Sequence, residues 1–179
     1  MVLLVTIVLL ALLFDFINGF HDAANSIATI VSTRVLTPFQ AVIWAAFFNF
    51  VAFFISKFII GEFGIANTVS KTVVESYLVG SVALKVILSG VLAAVVWNLL
   101  TWWLGIPSSS SHTLIGGFAG AAIAAWGWQA VHGEVVFKIA AFILIAPLVG
   151  MVTAMIITII IEHICKKANP HKANHWFKR

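Results

Sequence analysis

The sequence predicts an all-α transmembrane fold: a broken first helix, spanning helices and a re-entrant helical hairpin. Of the 179 residues, 62% are hydrophobic and 9% charged, whereas a soluble domain carries about 25% charged residues. The apolar residues come in long runs. From Ala41 to Ile60 the only ionisable side chain is Lys57, and from Ile139 to Ile161 there is none. A bilayer core about 30 Å thick requires roughly 20 such residues per helix. Soluble and surface-attached classes are set aside on these grounds.

In chain order, the first helix covers residues 2–33, and polar residues interrupt its second half. Met1 to Leu13 lacks the basic start and cleavage site of a signal peptide, so it reads as part of this span. Arg34 and Pro38 make a short turn, and residues 39–60 form a clean span. Residues 61–77 are polar enough for an external loop with a short interfacial helix. Residues 78–105 and 108–127 flank Ile106-Pro107 and a run of four serines, forming either a re-entrant hairpin or two full spans. Residues 135–162 make the last span. The transmembrane unit is thus 1–165, followed by a basic tail at 166–179. Most tryptophans lie near span ends, where interfacial anchoring explains them.

The net charge of +4 is concentrated, because five of the ten Lys and Arg residues are Lys166, Lys167, Lys172, Lys178 and Arg179. After a membrane span such a tail follows the positive-inside rule rather than marking a nucleic-acid surface. Either reading of the hairpin gives an odd number of crossings. A cytoplasmic C-terminus therefore puts the N-terminus outside and Arg34 inside. The expected location is the inner cell membrane, multi-pass, with lipid as a partner and no nucleic acid. The single Cys165 excludes an internal disulfide.

Two constellations carry chemistry. Asp15, Asn18, Asp22, Asn25 and Thr29 advance by 3, 4, 3 and 4 residues, which stacks them along one helix face. A charge at the bilayer centre costs roughly 2.5 to 3.5 kcal/mol on insertion scales. Two acids on one stripe therefore face a protein interior, a water-filled cavity or a bound cation. Hydrogen bonding between helices would account for the asparagines alone, but not for Asp22 between Asn18 and Asn25. His21 points about 100° away from its neighbour Asp22 and reads as an interfacial or bundle-facing side chain rather than a proton relay or metal ligand.

The second constellation is Pro107-Ser108-Ser109-Ser110-Ser111-His112-Thr113. Pro107 ends one helix and serines cap the next. The start of that helix presents unpaired N–H groups and the positive end of its dipole. Hydroxyls beside such an end suit an oxyanion, and broken helices of this kind hold anionic substrates in transporters. Gly116 and Gly117 allow another helix to pack closely. A polar loop without a substrate is the plainer reading, and its apolar flanks argue against it.

These two stretches resemble the signatures of the inorganic phosphate transporter family. Asn18-Gly19-Phe20-His21-Asp22-Ala23-Ala24-Asn25-Ser26 is similar to the first, and Pro107 to Thr113 to the second, with Trp97-Asn98-Leu99 upstream. The wording is most like the bacterial low-affinity branch, and the resemblance spans nearly the whole chain. It implies secondary active symport of inorganic phosphate, not an enzyme, by a carrier built from two inverted repeats. Phosphate would lie between the repeats, held by Ser109, Ser110, Ser111 and Thr113 with Asp22 and Asn25. The coupling ion, a proton or sodium, would sit at Asp22 and Asn25, with Asn18 and Asp15 on the same stripe. A metal–phosphate complex is the alternative cargo. The resemblance implies no cofactor beyond the coupling cation, and a resident metal stays unassigned.

The family carries both motifs twice, and only one copy is found here. The chain looks like the N-terminal half, expected to need a second repeat or a complementary half. It could equally be a fragment, a truncated reading frame or a non-transporting membrane subunit. A cation channel would use the acidic stripe but leave the serine hairpin unexplained. An intramembrane serine protease is disfavoured, because Ser111-His112 lacks the G-x-S-x-G elbow. If phosphate and cation share one site, residues 109–113 should share a polar cavity with Asp22 and Asn25. The cation or a proton would then neutralise Asp22 whenever the phosphate dianion is bound.

Overall fold

The computed structural model describes residues 1–61 and 64–166. Among the described residues six α-helices follow one another: α1 (Val2–Ser32), α2 (Pro38–Ile55), α3 (Gly64–Ser70), α4 (Gly80–Leu104), α5 (Ser110–Trp126) and α6 (Gly133–Cys165). Four of them, α1, α2 with its π-helical extension Ser56–Ile60, α4 and α6, are long and apolar enough to cross a membrane. The chain is a multi-pass α-helical membrane protein. Beyond Lys166 the expected basic tail lies outside the described residues.

One expectation is corrected. The first helix is not broken: α1 runs without interruption from Val2 to Ser32. Its polar residues occupy one face and leave the backbone ladder intact, and the hydroxyls fold back onto it, as Ser26 does onto Ala23 O at 3.0 Å. Gly19 alone costs a helix only about 1 kcal/mol, and the segment contains no proline. The chain then turns at Arg34, which adopts a left-handed φ of 57°. Thr37 caps α2, accepting from the Gln40 N–H while the Gln40 side chain accepts from the Thr37 N–H, with Pro38 at the first helical position.

The centre of the molecule is the antiparallel pair α4–α5, with α1 laid along α4. The buried residues of α4 are Ala83, Val86, Gly90, Val91, Ala94, Val95, Asn98 and Thr101, a helical stripe hidden in a segment that is apolar all round. Phe14 and Ile17 of α1 pack on Val91, Ala94 and Val95, with Leu114 and Phe118 of α5 against them. Where α4 meets α5 the backbones nearly touch: a methyl group on Gly117 would overlap the Gly90 carbonyl oxygen. Lipid tails are as apolar as leucine, so close approach of this kind, more than burial, holds membrane helices together.

The α4–α5 turn is closed by its own chemistry. Gly105 takes a left-handed φ of 67°. Its N–H bonds to Trp102 O, and the Ile106 N–H reaches back to Thr101 O at 2.9 Å, the Schellman pattern. Pro107 then prevents the helix from continuing. At the opposite end, Val73 pairs with Val131 in an isolated bridge. The Val74 N–H donates to Ala130 O, and the His132 N–H donates to Thr72 O. That bridge ties the segment after α3 to the segment after α5. It brings α3 against α5, so the stretch expected to be an external loop with a short helix does carry that helix, and α3 walls a cavity.

Candidate functional site

The sequence-predicted residues fall into three groups. Asp15, Asn18, Ser110 and Ser111 line one cavity of about 730 Å³, together with Val69 and Ser70 of α3 and the rings of Phe14 and Phe118. Ser109 and Thr113 line a second cavity of about 600 Å³ with Pro107, Ser108, His112 and Trp97. Asp22 and Asn25 are exposed on the C-terminal half of α1 and line neither cavity. Asp22 lies about 10 Å beyond Asp15 at 1.5 Å of rise per residue, which carries it past the amino end of α5.

The helical repeat explains why neighbours in sequence separate. Ser110 and Ser111 are the first two residues of α5 and turn towards α1. Ser109, His112 and Thr113 lie on the other side. Adjacent Ser111 and His112 therefore face different cavities, which removes the support for a serine–histidine catalytic pair.

The amino end of α5 is uncapped. Ser109 occupies the N-cap position without a side-chain hydrogen bond to the helix. The first intrahelical bond is Thr113 N–H to Ser109 O at 2.9 Å, so the N–H groups of Ser110, Ser111 and His112 precede the ladder and have no helical acceptor. The Thr113 hydroxyl donates to the same Ser109 carbonyl at 2.9 Å. Its proton is thereby engaged, and the Ser108 hydroxyl, 3.3 Å away, is the donor of that pair. Hydroxyls and free N–H groups at a positive helix end form a set suited to anion oxygens.

Two buried amides stand out. Asn18 Oδ1 and Asn98 Nδ2 are buried without a hydrogen-bond partner. Asn98 is 2% exposed and sits beside Thr101 on the stripe of α4 that faces α1 and α5. The motif Trp97-Asn98-Leu99 contains it without giving it a role. A lone amide in an otherwise apolar helix was the signal available. Among the described residues the ionisable neighbour of Asp22 is His21, with Nδ1 4.0 Å from a carboxylate oxygen, too long for a hydrogen bond. Among the described residues no group of three or more His, Cys, Asp or Glu side chains is placed to hold a metal ion.

The chain matches the phosphate transporter family over residues 18–178. It is 46% identical over 181 residues to a probable low-affinity inorganic phosphate transporter of Bacillus subtilis (strain 168), covering 100% of this chain and 52% of that protein. A protein of the same name from Rhizobium meliloti (strain 1021) is 43% identical over 98% of this chain and 50% of its own length. Low-affinity inorganic phosphate transporter PitB of Escherichia coli (strain K12) is 37% identical over 80% of this chain and 30% of its own length. No solved structure matches. The chain spans about half the length of the first two of these relatives. The sequence matches make this chain a member of the phosphate transporter family.

Proposed function

We propose that this chain forms the N-terminal repeat of an inorganic phosphate symporter. Phosphate oxygens are bound by the hydroxyls of Ser109, Ser110 and Ser111, by the Thr113 hydroxyl once it releases the Ser109 carbonyl, and by the free N–H groups at the start of α5. A coupling cation, proton or sodium, is carried by the polar stripe Asp15, Asn18, Asp22 and Asn25, and a metal–phosphate complex would serve as cargo by the same logic. The observation supporting this reading is that Ser110 and Ser111, at an uncapped helix end, line one cavity with the polar face of α1. An anion-favouring end and a cation-favouring stripe are thereby adjacent.

Coupling follows from electrostatics. Phosphate is repelled by a bare carboxylate and accepted once a cation or proton has neutralised it. Each ligand then improves the affinity for the other by the same factor. The exposed site residues, Asp22 above all, are completed in this reading by a second repeat or complementary half. The membrane is the inner one, with the N-terminus outside.

Uptake of radiolabelled phosphate in cells stripped of their own carriers tests the proposal. The chain is supplied in its full-length transporter. Asp22→Asn is expected to abolish most uptake while membrane insertion stays normal. Wild-type uptake by that variant refutes the assignment of Asp22. Uptake of a bare cation that ignores phosphate would favour the channel reading instead.

A further inference from the structure

We infer that Lys57, Lys71 and Lys85 form a cationic rim that draws phosphate from the outer face into the cavity between α1, α3 and the α4–α5 hairpin. The substrate rests on the proposed function, and the side rests on the proposed orientation. Neither of those readings assigns the lysines or the path of entry.

The cavity joins two levels of the molecule. At one level are Asp15, Asn18, Ser110 and Ser111, where the polar stripe meets the start of α5. At the other are Ser56 in the extension of α2, Ser70 at the end of α3 and Val86 in the second turn of α4. Each of these three has a lysine for a neighbour: Lys57 follows Ser56, Lys71 follows Ser70 and Lys85 precedes Val86. All three lysines are exposed, and none lines the cavity itself. One residue of advance turns a helix by about 100°, so Lys57 and Lys85 stand beside the lining. Lys71 directly follows the last residue of α3.

Their charge is not cancelled locally. Among the described residues none of the three is paired with a carboxylate. Lys57 Nζ sits 5.7 Å from the centre of the neighbouring Phe58 ring, a contact that leaves its charge intact. Among the described residues the acids at this end are Glu75 and Glu134; both are exposed and neither lines the cavity. In the proposed orientation these lysines lie outside together with Lys138, against the positive-inside bias, and attraction of an anion gives them a use there. The cavity walls are mostly apolar, with Phe14, Val73, Leu78 and Phe118 among them. Charges at the mouth of a cleft with low-dielectric walls focus their field into it and raise the association rate of a counter-ion about 10–10³-fold. Asp15, at the deep level, opposes a phosphate dianion until the coupling cation is bound, so the rim acts on encounter rather than on the final hold. The screening length is about 8 Å at physiological ionic strength, so the attraction fades as salt is raised.

The test measures initial phosphate uptake by the full-length transporter, at phosphate concentrations well below and well above half-saturation. The triple variant Lys57→Gln, Lys71→Gln, Lys85→Gln is expected to slow uptake at low phosphate about tenfold in low-salt medium. Its saturated rate stays within about twofold of wild type, because steering acts on association. Added choline chloride slows the unaltered transporter at low phosphate and leaves the triple variant unchanged. A charge-specific rescue separates steering from structure. In a Cys165→Ser background, Lys71→Cys treated on intact cells with an impermeant cationic thiol reagent regains uptake at low phosphate, and with an anionic reagent it loses more. The reagent meets assembled protein, so this arm does not depend on how the triple variant folds. Lys138→Gln, at the same end but beside no lining residue, is the control and keeps wild-type uptake. Unchanged low-phosphate uptake in the triple variant, equal effects of the two reagents, or an equal loss in Lys138→Gln overturns the inference. An unaltered transporter that takes up no phosphate sinks the proposed function and this inference with it, whereas phosphate uptake indifferent to the three lysines sinks this inference alone.

Discussion

Asn98 is a single side chain whose burial costs stability. Its amide nitrogen is buried at the edge of the α1–α4 core with no acceptor, while its neighbour Thr101 satisfies its hydroxyl on Trp97 O at 2.9 Å. An unsatisfied donor costs about 1–3 kcal/mol, and an apolar group of similar shape removes that cost. Asn98→Leu is therefore expected to raise the stability of the purified chain by about 1 kcal/mol in a denaturant titration, and to lower phosphate uptake in the full-length transporter. A destabilised variant would show that Asn98 has a partner after all. Asp15 and Asp22 make the complementary point. They lie on one stripe with the same chemistry, yet only one faces a cavity walled by the hairpin. Their chemical type and shared face were legible in the sequence. Their different surroundings were not, because those depend on where α5 begins relative to α1.

At the level of elements, the α4–α5 crossing brings two backbones nearly into contact. A Cβ on Gly117 would meet the backbone carbonyl of Gly90, which cannot swing aside, whereas a Cβ on Gly90 would chiefly meet the movable ring of Phe118. Gly120, one turn on from Gly116, has open space. Forcing a methyl group into a packed interface costs typically 1–3 kcal/mol. Gly117→Ala should thus destabilise the chain by about 2 kcal/mol or more, and Gly90→Ala by less. Gly120→Ala should be neutral or gain a little from helix propensity. Denaturant unfolding of the three variants checks the order, and equal effects at 117 and 120 would contradict the packing. The glycines near the serine run were visible in the sequence as a means of close approach. Their partner was not, because Gly90 lies in a helix with no hydropathy contrast between its faces.

On the scale of the whole molecule, α2 and α6 contribute almost nothing to the interior. Of α2 only Ala41 is buried, and of α6 no residue is. Their surfaces are apolar and turned outwards, as suits lipid or further protein. The proposed orientation, with Met1 outside and the basic end in the cytoplasm, rests on the Lys/Arg bias and on α4 and α5 crossing together or not at all. In a Cys165→Ser background, cysteines at Arg34 and Lys178 are expected to resist an impermeant thiol reagent added to intact cells and to react after permeabilisation. A cysteine at Val2 should react at once. Labelling of Lys178→Cys from outside would reverse the topology. Labelling of Val2→Cys only after permeabilisation would show an even number of crossings, with α4 spanning alone.

What the sequence by itself determined was the solvent and the alphabet of the site. Residues 139–161 carry no ionisable group, so that segment suits a bilayer whatever its neighbours. The 3 and 4 spacing from Asp15 to Thr29 likewise defines a polar face on any helix. Proline, serines and glycines around position 107 announced a turn and a helix start, and the structure has both. The break expected in α1 is absent because polar residues on one face leave the backbone ladder unbroken. Only the tertiary structure decided which stripe residues meet which serines. One residue of advance turns a helix by about 100°, so Ser111 and His112 face separate cavities. The level at which α5 starts against α1 selects Asp15 and Asn18 for the first of them.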